Sequence, residues 1–317
     1  MDISLISPAA SRSSNGNYTT AFRWKRILQT LGHQVDLTQD YSGADCDLMI
    51  ALHAWRSADA IQKFKSHHPN KSLIVALTGT DAYRFIHSHP EQTLKSIALA
   101  DHLVGLHQLI SSTLPEQHQH KLNVIFQAST LKPIRPINIK SNFNACIAGH
   151  LRDEKDPLRA AYAVRSLPCH SKIFISHYGK AHNNEWAYKA RLENIKNRRY
   201  SWHGEISQAL LRIKFSQAKL MILSSRMEGG ANIISEAIMS DLPVIASKID
   251  GSVGLLGEDY CGYYDVENTA QLKQILLRCE NNKSFYQTLI RQCRARRHLF
   301  THCQEKHLWK QLLSKID

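Results

Sequence analysis

The sequence has no long apolar run: its hydrophobic stretches fall far short of the ~20 residues that cross a bilayer. It has no Cys-x-x-Cys pair. Its seven cysteines (Cys46, Cys146, Cys169, Cys261, Cys279, Cys293 and Cys303) are scattered and odd in number, which argues for reduced thiols against a disulfide frame or a zinc site. It has no Gly-x-Gly-x-x-Gly, so the dinucleotide fingerprint is missing. Met1-Asp-Ile-Ser-Leu-Ile-Ser-Pro8 reads as a strand and lacks the basic start of a secretory signal. Acid is scarce relative to base, and the formal charge is +13. These absences leave a cytoplasmic globular protein as the expectation, with polyanionic or phosphorylated partners. Nucleic-acid modules interleave basic residues with aromatics or carry a compact motif. Neither pattern is present, so no nucleic-acid partner and no stable membrane association are expected. The one dense basic run, Arg291–His298, reads as the solvated face of a C-terminal helix.

What is present is a βα alternation through 317 residues, a length for two domains. Short apolar runs suited to buried parallel strands recur at Ile3–Ile6, Val35–Leu37, Leu48–Leu52, Ser72–Leu77, Asp101–His107 and Leu122–Phe126. They recur again at Asn144–Ala148, Lys172–Ser176, Tyr200–His203, Lys219–Leu223 and Val244–Ser247. Lys132-Pro-Ile-Arg-Pro-Ile137 has two prolines and no periodicity, and reads as a linker. The expectation is an α/β protein of two Rossmann-like doubly wound domains facing across a cleft, residues 1–136 and 137–317, the second carrying the closing C-terminal helices.

The chemistry concentrates at strand ends, where such sheets bind ligands. In the first half these are the loop Ser13–Asn17 (with Ser13, Asn15, Gly16, Asn17 and a nearby Arg12), then His53, then Thr78-Gly79-Thr80-Asp81. Thr80 and Asp81 are equally suited to capping a helix, and His53 to ordinary packing. Asp45-Cys46-Asp47 has the Asp-x-Asp form of a metal site but precedes its strand, so no metal is assigned to it. In the second half, Gly149 is followed by Arg152 and Lys155, with Asp156-Pro157 beginning a helix: two cations beside a helix start suit a diphosphate. Leu223-Ser-Ser-Arg-Met-Glu-Gly-Gly-Ala-Asn232 reads as strand end, glycine turn and helix start, and includes Ser225, Ala231 and Asn232. Glu228 lies in the turn and Glu236 in the helix, eight residues on. Carboxylates accept hydroxyl hydrogen bonds, so this pair around an anion seat suits a nucleotide-sugar. Gly251–Glu258 reads as a further glycine-bearing loop.

Glu228-x7-Glu236, Pro243-Val-Ile-Ala-Ser247 and Gly149 with Arg152 and Lys155 resemble the retaining glycosyltransferases of GT-B architecture. That resemblance implies that Glu228 and the backbone of Gly229 and Gly230 contact a donor sugar. It also implies that Glu236 holds the ribose and that Arg152 and Lys155 hold the diphosphate. Gly230-Ala231-Asn232 departs from the bulkier residues of many members.

Further strings extend along nearly the whole chain: Ala51-Leu-His-Ala-Trp-Arg-Ser57, Ala76-Leu-Thr-Gly-Thr-Asp-Ala-Tyr83, Ser224–Asn232 and Val253-Gly-Leu-Leu-Gly-Glu-Asp-Tyr260. Together with Ile6-Ser-Pro8 they look like the selenosugar synthases of selenoneine biosynthesis. This implies a UDP-sugar donor, typically UDP-N-acetylglucosamine, a selenophosphate acceptor, neighbouring pathway enzymes as partners, and no cofactor. The readings kept beside it are a GT-B glycosyltransferase with a hydroxyl acceptor, in glycolipid or envelope polysaccharide synthesis, and a hydrolysing epimerase of the same architecture.

Overall fold

The computed structural model describes residues 1–8, 16–129 and 142–316. Arg12, Ser13, Asn15, the Lys132–Ile137 linker and the 136/137 boundary lie outside the described residues. The chain forms two compact units. One comprises Met1–Ala128, Glu228–Gly230 and Thr301–Asp317; the other comprises Ser129–Met227 and Ala231–Phe300.

The first unit is built on a parallel sheet of β1 (Asp2–Ile6), β2 (Gln34–Thr38), β3 (Leu48–Leu52), β4 (Ser72–Leu77), β5 (His102–Gly105) and β6 (Leu122–Val124). Their spatial order is β2-β1-β3-β4-β5-β6. Both faces are covered, which explains why the strands read as near-continuous apolar runs; all five residues of Leu48–Leu52 are buried. One face carries a core around Ile61, Phe64 and Ile97, the other a core around Trp24, Leu28 and Trp309.

The second unit is built on β7 (Phe143–Ala148), β8 (Ile173–Tyr178), β9 (Tyr200–Trp202), β10 (Leu220–Leu223), β11 (Val244–Ser247) and β12 (Tyr263–Tyr264). Its order is β12-β11-β10-β7-β8-β9, again parallel.

The sequence carries the last helix with the second half, whereas Thr301–Asp317 packs in the first unit. The cause is Glu305, which is buried on the helix His302–Leu313. Its carboxylate accepts from Trp24 Nε1 at 2.9 Å, from Arg23 Nε at 3.0 and 3.1 Å, and from the Ala128 amide at 2.9 Å. A buried carboxylate needs such partners, and all of them lie in the first unit. Trp309 meets Trp24 edge-on at 4.9 Å on the same helix pair.

Three local expectations change. Gly251–Glu258 is no loop over most of its length but a helix, Asp250–Leu256; its residues Gly251, Ser252 and Gly254 to Leu256 are buried, and burial overrides glycine's weak helix propensity. The helix after Asp156-Pro157 starts only at Arg159, because Asp156 takes a left-handed φ of 42° and Leu158 precedes the helix as its cap. The run Arg291–His298 is not a solvated face throughout. Arg296 donates to the Gly254 and Leu255 carbonyls, Arg297 to the Met239 carbonyl, and both Arg294 and Arg297 pair with Asp241. Cations there satisfy the orphan carbonyls of two helix ends. No helix among the described residues is long and apolar enough to cross a membrane.

Glu305→Ala leaves Arg23, Trp24 Nε1 and the Ala128 amide without their acceptor, and we expect a loss of about 3–5 kcal/mol. Chemical denaturation measures it, and an unchanged midpoint would contradict this role for Glu305.

Candidate active site

In the first sheet the chain winds out from β1 to β2 and then from β3 to β6, so the switch point lies between β1 and β3. His53 follows β3 there, and the Thr78–Asp81 loop follows the adjacent β4. His53 is buried and has a left-handed φ of 73°, a strained conformation for a side-chain-bearing residue. The Arg56 amide donates to His53 Nδ1 at 3.2 Å, and Nε2 lies 3.0 Å from Thr80 Oγ1. Burial holds the imidazole pKa below its ordinary value, with the Asp81 charge opposing. The neutral ring therefore carries its proton on Nε2 and donates to Thr80, since Nδ1 already accepts. His53 in this state orients the Thr80 hydroxyl, whose own hydrogen points elsewhere.

Asp81 sits beneath this pair with no exposure. Its Oδ1 accepts from the Thr78 and Gly79 amides at 2.9 and 2.8 Å, and its Oδ2 from the Ala54 amide at 2.9 Å. It shapes both strand-end loops, and its oxygens are turned onto backbone. A single π-helical turn, Asp81–Phe85, leads away from it. Glu228–Gly230 belongs to this unit as well. A Cβ on Gly79, whose φ is 131°, would lie 2.7 Å from the Gly229 nitrogen, and one on Gly229 would meet Thr78 and Gly79 backbone. Only glycine allows this approach. Gly230 likewise packs on Leu106. Gly16 and Asn17 open the helix Gly16–Thr30.

Asp45 is ion-paired with Lys71, and Asp47 accepts the Asp2 amide at 2.7 Å. Both stand ahead of β3, at the opposite edge of the sheet from His53.

In the second sheet the switch point lies between β7 and β10. Gly149 follows β7, and Ser224 and Ser225 follow β10. The intervening loop is held at each end. Near its start, the Gly149 amide donates to the Tyr178 carbonyl and the Leu151 amide to the Lys180 carbonyl, both at 2.9 Å. At its far end, Ser224 Oγ donates to the Lys155 and Asp156 carbonyls at 3.0 and 2.8 Å. The Arg226 amide donates to the Glu154 carbonyl at 2.8 Å, and its guanidinium to the Asp153 carbonyl. Arg152 and Lys155 are thus placed at the carboxyl ends of the two central strands. Arg152 is 42% exposed, with Glu154 3.9 Å away. Ser225 is buried and its carbonyl accepts from Ser247 Oγ at 2.5 Å.

Ala231 precedes the helix Asn232–Met239, and Asn232 opens it. Glu236 lies on that helix, half-buried, with Gln208 Nε2 3.5 Å from its Oε1. The helix that follows Arg152 and Lys155 is the short Arg159–Arg165.

The bonds bring His53, Thr78, Thr80 and Asp81 into one cluster, and Gly149 to Lys155 with Ser224 into another. Sequence reasoning missed Ser224 and Arg226, although both lie in the string it singled out. Its signal for Ser224 is a hydroxyl at the end of a fully apolar strand.

The family model for glycosyl transferases group 1 matches residues 132–296, just over half of the chain. The chain belongs to the group 1 glycosyl transferases. Solved structures align with this glycosyl transferase almost end to end. Anabaena HepE, solved in complex with UDP and glucose, has a TM-score of 0.78 at 14% identity, covering 99% of this chain and 100% of its own. Sucrose-phosphate synthase from Thermosynechococcus elongatus has a TM-score of 0.78 at 15% identity, covering 99% and 98%. The lipopolysaccharide outer core galactosyltransferase WaaB gives 0.72 at 12% identity, covering 99% and 100%. At such identities the likeness speaks to fold, the GT-B architecture. No curated protein sequence matches significantly.

Asp81→Asn places an amide N–H₂ against backbone donors. We expect a stability loss of about 1–3 kcal/mol and sugar transfer slowed about tenfold, read by thermal denaturation and turnover. Wild-type values for both would refute the role given to Asp81.

Proposed function

We propose that this glycosyl transferase moves a sugar, N-acetylglucosamine by preference, from a UDP-sugar to selenophosphate, giving a 1-seleno-sugar and UDP. The observation that carries the donor half is the loop from Gly149 to Asp156, clamped at the switch point of the second sheet with Arg152 and Lys155 on it. Family membership supports sugar transfer, and the UDP and UDP-glucose complexes of HepE support UDP as the nucleotide.

In this reading Arg152, Lys155 and the start of the helix Asn232–Met239 stabilise the diphosphate as it leaves, a preorganised electrostatic role. Glu236 accepts hydrogen bonds from the ribose. Glu228, with the Gly229 and Gly230 backbone, contacts the sugar, and Ser225, Ala231 and Asn232 complete the donor side. The bond from the anomeric carbon to the UDP oxygen breaks and its electron pair departs with UDP. A selenium lone pair forms the new bond, and water takes the phosphate from selenium.

The acceptor half rests on the resemblance of the Ala51–Ser57, Ala76–Tyr83 and Val253–Tyr260 strings to selenosugar synthases. Thr78 and Thr80, with His53 fixing the Thr80 hydroxyl, are its anion donors, joined by Gly16 and Asn17. Ser13 and Asn15 are assigned to the same group from sequence. A selenium nucleophile that arrives ionised needs no base, which accords with a His53 whose one bare nitrogen already accepts a backbone N–H.

Glu236→Ala should weaken UDP binding about tenfold or more, the worth of hydrogen bonds to a charged group. Glu228→Ala should mainly lower kcat with a UDP-sugar. Calorimetry and steady-state kinetics separate the two, and negligible effects in both variants would remove the donor assignment.

A further inference from the structure

His177 lies on β8, between β7 and the edge strand β9 of the second sheet, with Ile147 and Trp202 as its register partners. It has no exposure, an unusual placement for a polar ring. Its two nitrogens are both engaged: Nδ1 lies 2.9 Å from the Tyr200 hydroxyl and Nε2 3.1 Å from the Gly149 carbonyl oxygen. A carbonyl only accepts, so Nε2 carries the proton. Nδ1 is then bare and accepts from the Tyr200 hydroxyl. Burial pushes the imidazole pKa down to about 4 and the Tyr200 phenol well up. Near neutral pH the relay therefore runs one way, from the Tyr200 O–H to His177 to the Gly149 C=O.

The Gly149 peptide is fixed from the other side too. Gly179 closes on it so tightly that a Cβ there would lie 2.5 Å from the Gly149 carbonyl carbon and 3.0 Å from the His150 nitrogen. The Gly179 amide is itself tied to the Gly204 carbonyl at 2.7 Å. A trans peptide is planar with its C=O and N–H opposed. Turning the Gly149 carbonyl inward onto His177 therefore fixes the direction in which the chain enters the Gly149–Asp156 loop. Nothing in strand geometry alone requires an imidazole at this position; an apolar residue would avoid the desolvation cost.

We infer that His177, oriented by Tyr200, is a positioning residue for the donor diphosphate: it sets the Gly149 peptide and thereby the loop that presents Arg152 and Lys155. This rests on the reading of that loop as the nucleotide-sugar site. It adds two residues, on β8 and β9, that touch no substrate.

The test uses the full-length protein and UDP, with His177→Phe, Tyr200→Phe and His177→Gln. Phe keeps the bulk and removes both hydrogen bonds. Gln can place an N–H toward Gly149 and a carbonyl oxygen toward Tyr200, and so serves as the conservative rescue. We expect His177→Phe to raise the UDP dissociation constant and the donor KM about tenfold. Tyr200→Phe should raise them about threefold, and His177→Gln should return them to within about twofold of wild type. We expect kcat to change far less than KM in each. A folded His177→Phe with wild-type UDP affinity overturns the inference, as does a Gln variant no better than Phe. If His177→Phe does not fold, Tyr200→Phe decides alone, and unchanged UDP affinity there overturns it. Wild-type protein that fails to bind UDP removes the donor reading itself, a result distinct from variants that bind as wild type does.

Discussion

A buried carboxylate with no access to water has to be met by donors, and Asp81 is met by three backbone amides from two neighbouring strand ends. Parallel sheets leave such amides unpaired where each strand stops. One side chain satisfies the ends of both β3 and β4, and this fixes the frame in which His53 takes its left-handed backbone and points Nε2 at Thr80. The same rule operates elsewhere with other groups. Glu305 collects donors from three residues in two segments of the first unit, and Ser224 collects the carbonyls that end the Gly149–Asp156 loop. Sites on both sheets are thus held by buried polar groups facing backbone, with the exposed residues carried on top.

This division explains what could be read from sequence. Strands buried on both faces are continuous apolar runs, so Leu48–Leu52, Ser72–Leu77 and Val244–Ser247 are legible to the residue. Glycine turns and the cations after β7 are legible too, because both are read directly from residue type at the end of an apolar run. A side chain's direction is not. Asp81 has the sequence of a ligand, yet its burial and its bonds to Ala54, Thr78 and Gly79 depend on a neighbouring strand. The arginines after Arg291 look solvated because the carbonyls they meet are tens of residues away in the chain. His177 escapes notice because the apolar pattern of β8 ends at Ser176, while the strand runs to Tyr178.

The positive balance of the chain is +13. Part of it is structural, closing helix ends and pairing with Asp241. Part falls at the carboxyl ends of the central strands of the second sheet, where we propose that Arg152 and Lys155 meet the departing diphosphate. A nucleotide-sugar and an anionic acceptor both match such a balance, whereas a polyanion reading of the whole surface does not account for where these cations sit.

We propose that the protein joins a UDP-sugar to an anionic selenium nucleophile. The most direct measurement is product analysis by mass after incubation with a panel of UDP-sugars, with and without selenophosphate. We expect UDP and a 1-seleno-sugar only when both substrates are present, with UDP-N-acetylglucosamine the best donor. Sugar appearing on a hydroxyl acceptor instead, or no selenophosphate-dependent UDP release from any donor, would contradict it.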